Sequence, residues 1–289
     1  MDALVSTSWL ADHLHDPELV VLDCTVWLRP AETGYVSVSG RSDHEAGHIP
    51  GAGFADLTGD LCDNSGAIRF DLPSPERFCD AMGALGVGDD SRVVLYDRAM
   101  SMWAARVWWM LRWVGFDRAA ILDGGFRAWR DEGRPISTET TVRPPARLTP
   151  RPRPRVVTDR HEVMASIDDD SICLIDALSE PQFRGEEMTY RRPGHIPGAT
   201  NTPAMSLIDP ETGLYRPLGE LAAMFPGDKS TRTVTYCGGG IAASSDAFTL
   251  VRLGYEDVAV YTASLQEWAA DESNPLVTEN AAATETGGS

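Results

Sequence analysis

No run of apolar residues in this 289-residue chain reaches the ~18–20 that a membrane-crossing helix requires, so no membrane association is expected. The opening residues, Met1-Asp2-Ala3-Leu4-Val5-Ser6, lack the basic n-region and apolar h-region of a secretory signal, and a cytoplasmic location is the expectation. Cysteine is sparse: five residues, at 24, 62, 79, 173 and 237, an odd number without a CxxC pair. That pattern argues against a disulfide framework or a cysteine zinc site, and neither metal nor cofactor is expected. Positive charge is also in short supply, with 25 Lys and Arg against 43 Asp and Glu and a formal net charge of −18. A surface of that sign repels phosphate backbones and anionic lipid, which argues against nucleic acid as a partner. A compact anionic substrate would need a local positive site against that field. What remains, 43% hydrophobic and 24% charged, is ordinary for a globular chain of one large or two moderate domains.

The chain is internally repeated. Gly47-His48-Ile49-Pro50-Gly51-Ala52 recurs as Gly194-His195-Ile196-Pro197-Gly198-Ala199. Ahead of each lies an apolar strand ending in aspartate, Val20-Val21-Leu22-Asp23 and Cys173-Leu174-Ile175-Asp176. After each come a second strand (Val93-Val94-Leu95-Tyr96 and Thr233-Val234-Thr235-Tyr236), a helical stretch, a Gly-aromatic pair, a third strand and a closing tryptophan, Trp129 or Trp268. Short apolar strands without polar alternation are buried on both faces, which implies a mainly parallel sheet covered by helices. The expected organisation is α/β: a first unit over 1–138, a proline-rich linker over 139–155, a second unit over 156–278 and a flexible tail over 279–289.

The second strand of the second unit runs into Cys237-Gly238-Gly239-Gly240-Ile241-Ala242, followed by a helix predicted over 241–253 and stopped by Gly254. Ligands of open α/β sheets bind at this strand edge. A thiolate, not a thiol, is the nucleophile, and free amides and the helix dipole stabilise negative charge at a helix start. Three glycines, tolerant of positive φ, would let successive N–H groups converge on the sulfur. In the first unit the position of Cys237 is held by Asp97, without glycines. One unit is therefore expected to be active and the other supporting.

In these features the chain resembles the two-domain rhodanese family of sulfurtransferases. The likeness rests on the paired Gly-His-Ile-Pro-Gly-Ala segments, the single cysteine loop, the stretch from Leu122 to Trp129 and the stretch from Tyr261 to Trp268. It implies two tandem rhodanese-like domains, each a mainly parallel sheet flanked by helices. It further implies a cysteine that takes a sulfane sulfur from thiosulfate or 3-mercaptopyruvate and passes it to a thiol or cyanide. The alternative is a persulfide carrier or sulfur-sensing module without turnover. Thiosulfate-type loops resemble Cys-Arg-Lys-Gly-Val-Thr and mercaptopyruvate-type loops Cys-Gly-Ser-Gly-Val-Thr. This chain has neither the basic pair nor the hydroxyls, with Gly239 and Ala242 in their places. The resemblance also implies two donor-binding arginines, Arg184 with either Arg191 or Arg192, and an inter-domain acid, Asp56.

The sequence also argues against three other chemistries. His44-Glu45-Ala46-Gly47-His48 fits the HExxH zinc pattern, but Gly47 and Pro50 oppose the helix it needs. Residues 238–243 fit a GxGxxA dinucleotide fingerprint, yet the acids Glu256 and Asp257 precede the next strand instead of ending it. A cysteine phosphatase would need arginine where Ala243 stands. Trp103, Trp108, Trp109 and Trp113, spaced along one predicted helix, are expected to pack in the core.

Overall fold

The computed structural model describes residues 1–31, 34–225 and 227–279; the expected tail from 280 onward lies outside them. Twelve strands are present among the described residues: β1 (Leu4–Val5), β2 (Leu19–Asp23), β3 (Val26–Pro30), β4 (Tyr35–Ser39), β5 (Gly53–Phe54), β6 (Arg92–Tyr96), β7 (Ala119–Leu122), β8 (Val157–Thr158), β9 (Ile172–Asp176), β10 (Thr200–Asn201), β11 (Arg232–Tyr236) and β12 (Val258–Tyr261). The first sheet runs β1-β7-β6-β2-β5 and the second, in the same sense, β8-β12-β11-β9-β10. Every pairing in both is parallel. The duplication read from landmarks is thus a duplication of topology. The antiparallel hairpin β3-β4 belongs to the first unit alone.

Consecutive side chains of a strand leave on opposite faces, and here both faces are cores. Val20 and Leu22 of β2 face one cluster, Leu19 and Val21 the other. The first cluster is continuous through both units. The helix after β6, Met102–Trp113, lies against the helix after β11, Ile241–Leu253, with the Trp108 ring edge-on to Phe248 at 4.9 Å between centroids. All four tryptophans of the first helix are buried, and Trp109 Nε1 donates to Val156 O (2.9 Å) at the start of the second unit. This helix pairing brings the cysteine loop after β11 against the first unit, where Met102 and Trp103 share a cavity with Cys237. No helix among the described residues is long and apolar enough to cross a membrane.

The repeated Gly-His-Ile-Pro-Gly turns are fastened identically. His48 exchanges two backbone hydrogen bonds with Ser137 and His195 two with Val277. Ile49 N and Ile196 N donate to Tyr96 Oη (3.4 Å) and Tyr236 Oη (3.0 Å). The HExxH helix stops at Ala46. The His48 nitrogens lie 2.8 Å from His44 O and 3.1 Å from Glu139 O, and the two imidazoles stack on each other. Both ring nitrogens of His48 are thus turned to carbonyls, and its role is to anchor the turn.

Helix Ile241–Leu253 carries one costly residue. Asp246 is fully buried, and neither carboxyl oxygen has a partner among the described residues. Burial pushes its pKa well above the carboxylate range, with the charge of Asp176 adding to the effect. The native carboxyl keeps a proton that the unfolded chain releases above about pH 4. The native state then binds more protons, and stability falls as pH rises, by up to about 1.4 kcal/mol per pH unit from this group. Asp246→Asn removes that dependence. Its gain in denaturant midpoint over wild type is expected to be larger at about pH 8 than at about pH 5, and an equal gain at both would contradict the assignment.

Candidate active site

Cys237 follows β11 directly and precedes the Ile241–Leu253 helix. The loop is hooked to the segment after β12. Cys237 N donates to Ser264 Oγ (3.1 Å), Cys237 O accepts from Leu265 N (3.1 Å) and Gly238 O accepts from Gln266 N (2.9 Å). The thiol is only 2% exposed, yet it forms the floor of a cavity of about 200 Å³ walled by both units. Among the described residues, the amides of 238–242 donate to no protein acceptor.

The first unit displays what such a bend does. Asp97, at the position of Cys237, is buried and accepts four amides: Ala99 N (2.8 Å) and Ser101 N (2.9 Å) on Oδ1, Trp103 N (2.9 Å) and Ala104 N (2.9 Å) on Oδ2. Burial raises its pKa while the amides act in the opposite direction. The same strand-loop-helix corner thus holds a resident carboxylate in one unit and a thiol beneath open space in the other.

The glycines work differently from the expectation. Of the three, Gly240 alone has positive φ (77°). Gly238 and Gly239 leave room for two side-chain tips as these stand: a Cβ on Gly238 would overlap the Tyr190 hydroxyl, and one on Gly239 would overlap Gln266 Nε2. Tyr190 and Gln266 both line the cavity. Gln266 also bridges the units, its Oε1 accepting from Arg69 N (3.0 Å) and its Nε2 donating to Arg69 O (3.4 Å).

None of the three arginines expected at the site lines this cavity. Arg184 closes the short helix Glu180–Arg184, where it pairs with Glu180 one turn back and with Glu279 (3.2 Å); its side chain is 41% exposed. Gln182 is the residue of that helix that lines the cavity. Arg191 is exposed and borders a separate hollow with Ala67, Ile68 and Glu267. Arg192 donates to the carbonyls of Trp268, Ala269, Asp271 and Asn274 at 2.7–3.2 Å, which ties down the end of the second unit. Asp56 stays within the first unit, accepting from Thr58 N (2.9 Å) and Thr58 Oγ1 (2.6 Å) and pairing with Arg41 (3.5 Å), beside a different hollow. Arg184→Ala and Arg191→Ala should each leave the rate of sulfur transfer within about twofold of wild type, since exposed charges with such partners contribute little. Arg192→Ala should instead lower the melting temperature.

The cations near the sulfur come from the first unit. Arg69 lines the cavity and is exposed at its rim, where Nη1 donates to Tyr35 O (2.6 Å). Arg106, on helix Met102–Trp113, is 1% exposed beneath the loop, and its Nη1 lies 2.8 Å from where a Gly240 Cβ would be. Nη2 donates to Phe70 O (2.9 Å), whereas Nε and Nη1 have no partner among the described residues. Burial pulls its pKa down to about 10, with Cys237, Asp71 and Cys62 acting in the opposite direction, so the guanidinium stays charged at neutral pH. A charged residue inside Trp103-Ala104-Ala105-Arg106-Val107-Trp108 was visible in the sequence as an anomaly, but nothing there said which cavity it approaches.

Known proteins resemble the chain along most of its length. The rhodanese-like domain family matches twice, over residues 6–132 and 159–271, and the chain belongs to that family. It is 33% identical to a probable 3-mercaptopyruvate sulfurtransferase of Pseudomonas aeruginosa (95% of this chain, 98% of that one). It is also 32% identical to a thiosulfate sulfurtransferase of Cricetulus griseus (92% and 91%). Among solved structures, SseA from Escherichia coli, described as a 3-mercaptopyruvate sulfotransferase, superposes with a TM-score of 0.81 at 29% identity, over 91% of this chain and 99% of that one. The protein is a sulfurtransferase of the thiosulfate and 3-mercaptopyruvate class.

Proposed function

We propose that Cys237 carries the transferred sulfur and that the loop amides of 238–242 hold its negative charge, with the first unit in a supporting role. The observation that bears most weight is Asp97, a carboxylate accepting four amides at the equivalent corner. Fixed N–H dipoles aimed at a developing anion lower the barrier without reorganisation.

In the reaction, the Cys237 thiolate attacks the outer sulfur of the donor. A sulfur–sulfur bond forms, and the bond joining that sulfur to the rest of the donor breaks, its electron pair departing with the leaving group. Thiosulfate releases sulfite. 3-Mercaptopyruvate releases the enolate of pyruvate, which takes a proton on carbon. An acceptor thiolate or cyanide then attacks the outer sulfur of the persulfide, and the Cys237 thiolate is the leaving group. With 2% exposure at the floor of the cavity, the sulfur can be reached only by an acceptor small or narrow enough to enter.

That seating favours turnover on small molecules over storage for a protein partner. Thiocyanate production should continue through many equivalents per Cys237 with cyanide and a donor in excess. A single equivalent followed by arrest would replace this reading with the carrier.

A further inference from the structure

The substrate cavity departs from what a small dianion requires. Among the described residues that line it, Arg69, exposed at the rim, is the one charged side chain, and one of its guanidinium nitrogens is already engaged by Tyr35 O. The described residues of the second unit add no cation to the wall: Arg184 is turned to two carboxylates, Arg192 to four carbonyls, and Arg191 borders another hollow. The space in which a side chain at position 238 would project is filled by Tyr190. Arg106 lies behind the loop, outside the set of residues that wall the cavity.

The walls are apolar. Phe70 and Trp103 lie deep, their ring centroids 5.1 Å apart, and both are buried. Leu178 and Met102 continue the surface, and Leu28 and Met205 carry it to the mouth, 49% and 60% exposed. A charge moved out of water needs a partner of opposite sign, and the described cavity wall supplies one, with Arg106 set behind the loop and out of contact with the cavity. A dianion would leave its second charge uncompensated against aromatic rings. A monoanion with an apolar body would meet both features, its charge toward Arg69 and the loop and its body against Phe70 and Trp103.

Building on the assignment of Cys237 as the sulfur carrier, we propose that the preferred donor is a monoanionic organic sulfane-sulfur compound with an apolar body of about ring size, and that thiosulfate is a poor donor. With a thiosulfonate, the Cys237 thiolate attacks the terminal sulfur. The new sulfur–sulfur bond forms as the bond to the sulfonyl sulfur breaks, and its electron pair leaves on the sulfinate. One negative charge enters on the donor and one leaves on the sulfinate, so the step needs no further reactant.

The test measures Cys237 persulfide formation by rapid quench and intact mass with thiosulfate, methanethiosulfonate and benzenethiosulfonate. Each second-order rate constant is divided by that of a free small thiol with the same donor, which removes intrinsic reactivity. The normalised value for benzenethiosulfonate is expected to exceed that for methanethiosulfonate, and that for thiosulfate by at least about tenfold. Met205→Ser and Leu28→Ser, at exposed positions where folding is not at stake, should each shrink the advantage of the phenyl donor over the methyl donor. Equal normalised values for the two thiosulfonates, or a larger value for thiosulfate, would overturn the donor inference while leaving the Cys237 assignment intact. If no donor loads Cys237, the assignment itself fails.

Discussion

Cys237→Ser should abolish sulfur transfer, with thiocyanate formation falling by at least about 10⁴-fold, to the level of the uncatalysed reaction. The substitution changes one atom. A serine hydroxyl remains protonated at neutral pH and offers no thiolate, so neither attack on the donor nor departure from the loaded intermediate has a low-energy path. The fold should be unaffected. Cys237 is anchored through its backbone, by Ser264 Oγ and Leu265 N, and the cavity above the sulfur leaves a smaller atom unhindered. Equal melting temperatures together with lost turnover would separate a chemical defect from a structural one. Burial raises the pKa of each of the other four cysteines, Cys62 and Cys173 included. Cys24 is fully buried with its pKa pushed up by burial and by Asp23, and Cys79 is pushed up to about 12 mainly by burial, which leaves both as thiols.

Arg106→Met should separate activity from stability in the opposite sense to most core substitutions. The guanidinium is buried with two nitrogens unpartnered among the described residues, an arrangement that costs stability. Methionine fills much of the same volume without charge. The cost of the change is one hydrogen bond to Phe70 O, about 1 kcal/mol. Stability is therefore expected to stay level or rise. Persulfide formation should fall by about 10–100-fold, below the 10²–10³ typical of a direct oxyanion donor, because Arg106 acts through the loop as a positioning residue and touches no substrate. Arg106→Lys, which restores the charge, should recover most of the rate. A Met variant that is destabilised in proportion to its loss of activity, with no recovery by Lys, would mark Arg106 as a packing residue alone.

The repeat, its central apolar strands and the cysteine loop were legible because each depends on local pattern. Val93-Val94-Leu95-Tyr96 and Thr233-Val234-Thr235-Tyr236 are central strands whatever surrounds them, and a cysteine placed between such a strand and a helix lies at the ligand edge. The three arginines named from the sequence do not line the cavity, for a physical reason. In the five-residue helix Glu180–Arg184, a shift of two positions turns a side chain from cavity to solvent, so Gln182 points inward and Arg184 outward to Glu180. Spacing from the Gly-His-Ile-Pro-Gly turn does not resolve that choice. Tyr190 and Gln266 carry no sequence signal because their importance comes from what Gly238 and Gly239 leave open, a property of packing. Arg106 and Arg69 belong to the other unit and reach the site only through the contact of helices Met102–Trp113 and Ile241–Leu253, which no periodicity encodes. The functions assigned to the three glycines show the same limit: composition announced a bend, but steric room, not left-handed backbone, explains two of them.

The central claim is that a corner built to hold an anion presents one particular sulfur for loading. Intact-protein mass spectrometry after brief treatment with a sulfane-sulfur donor, followed by peptide mapping, tests it most directly. The account predicts a gain of one sulfur atom per chain, located on Cys237 and lost on addition of cyanide. No gain, or a gain distributed over Cys24, Cys62, Cys79 and Cys173, would contradict it.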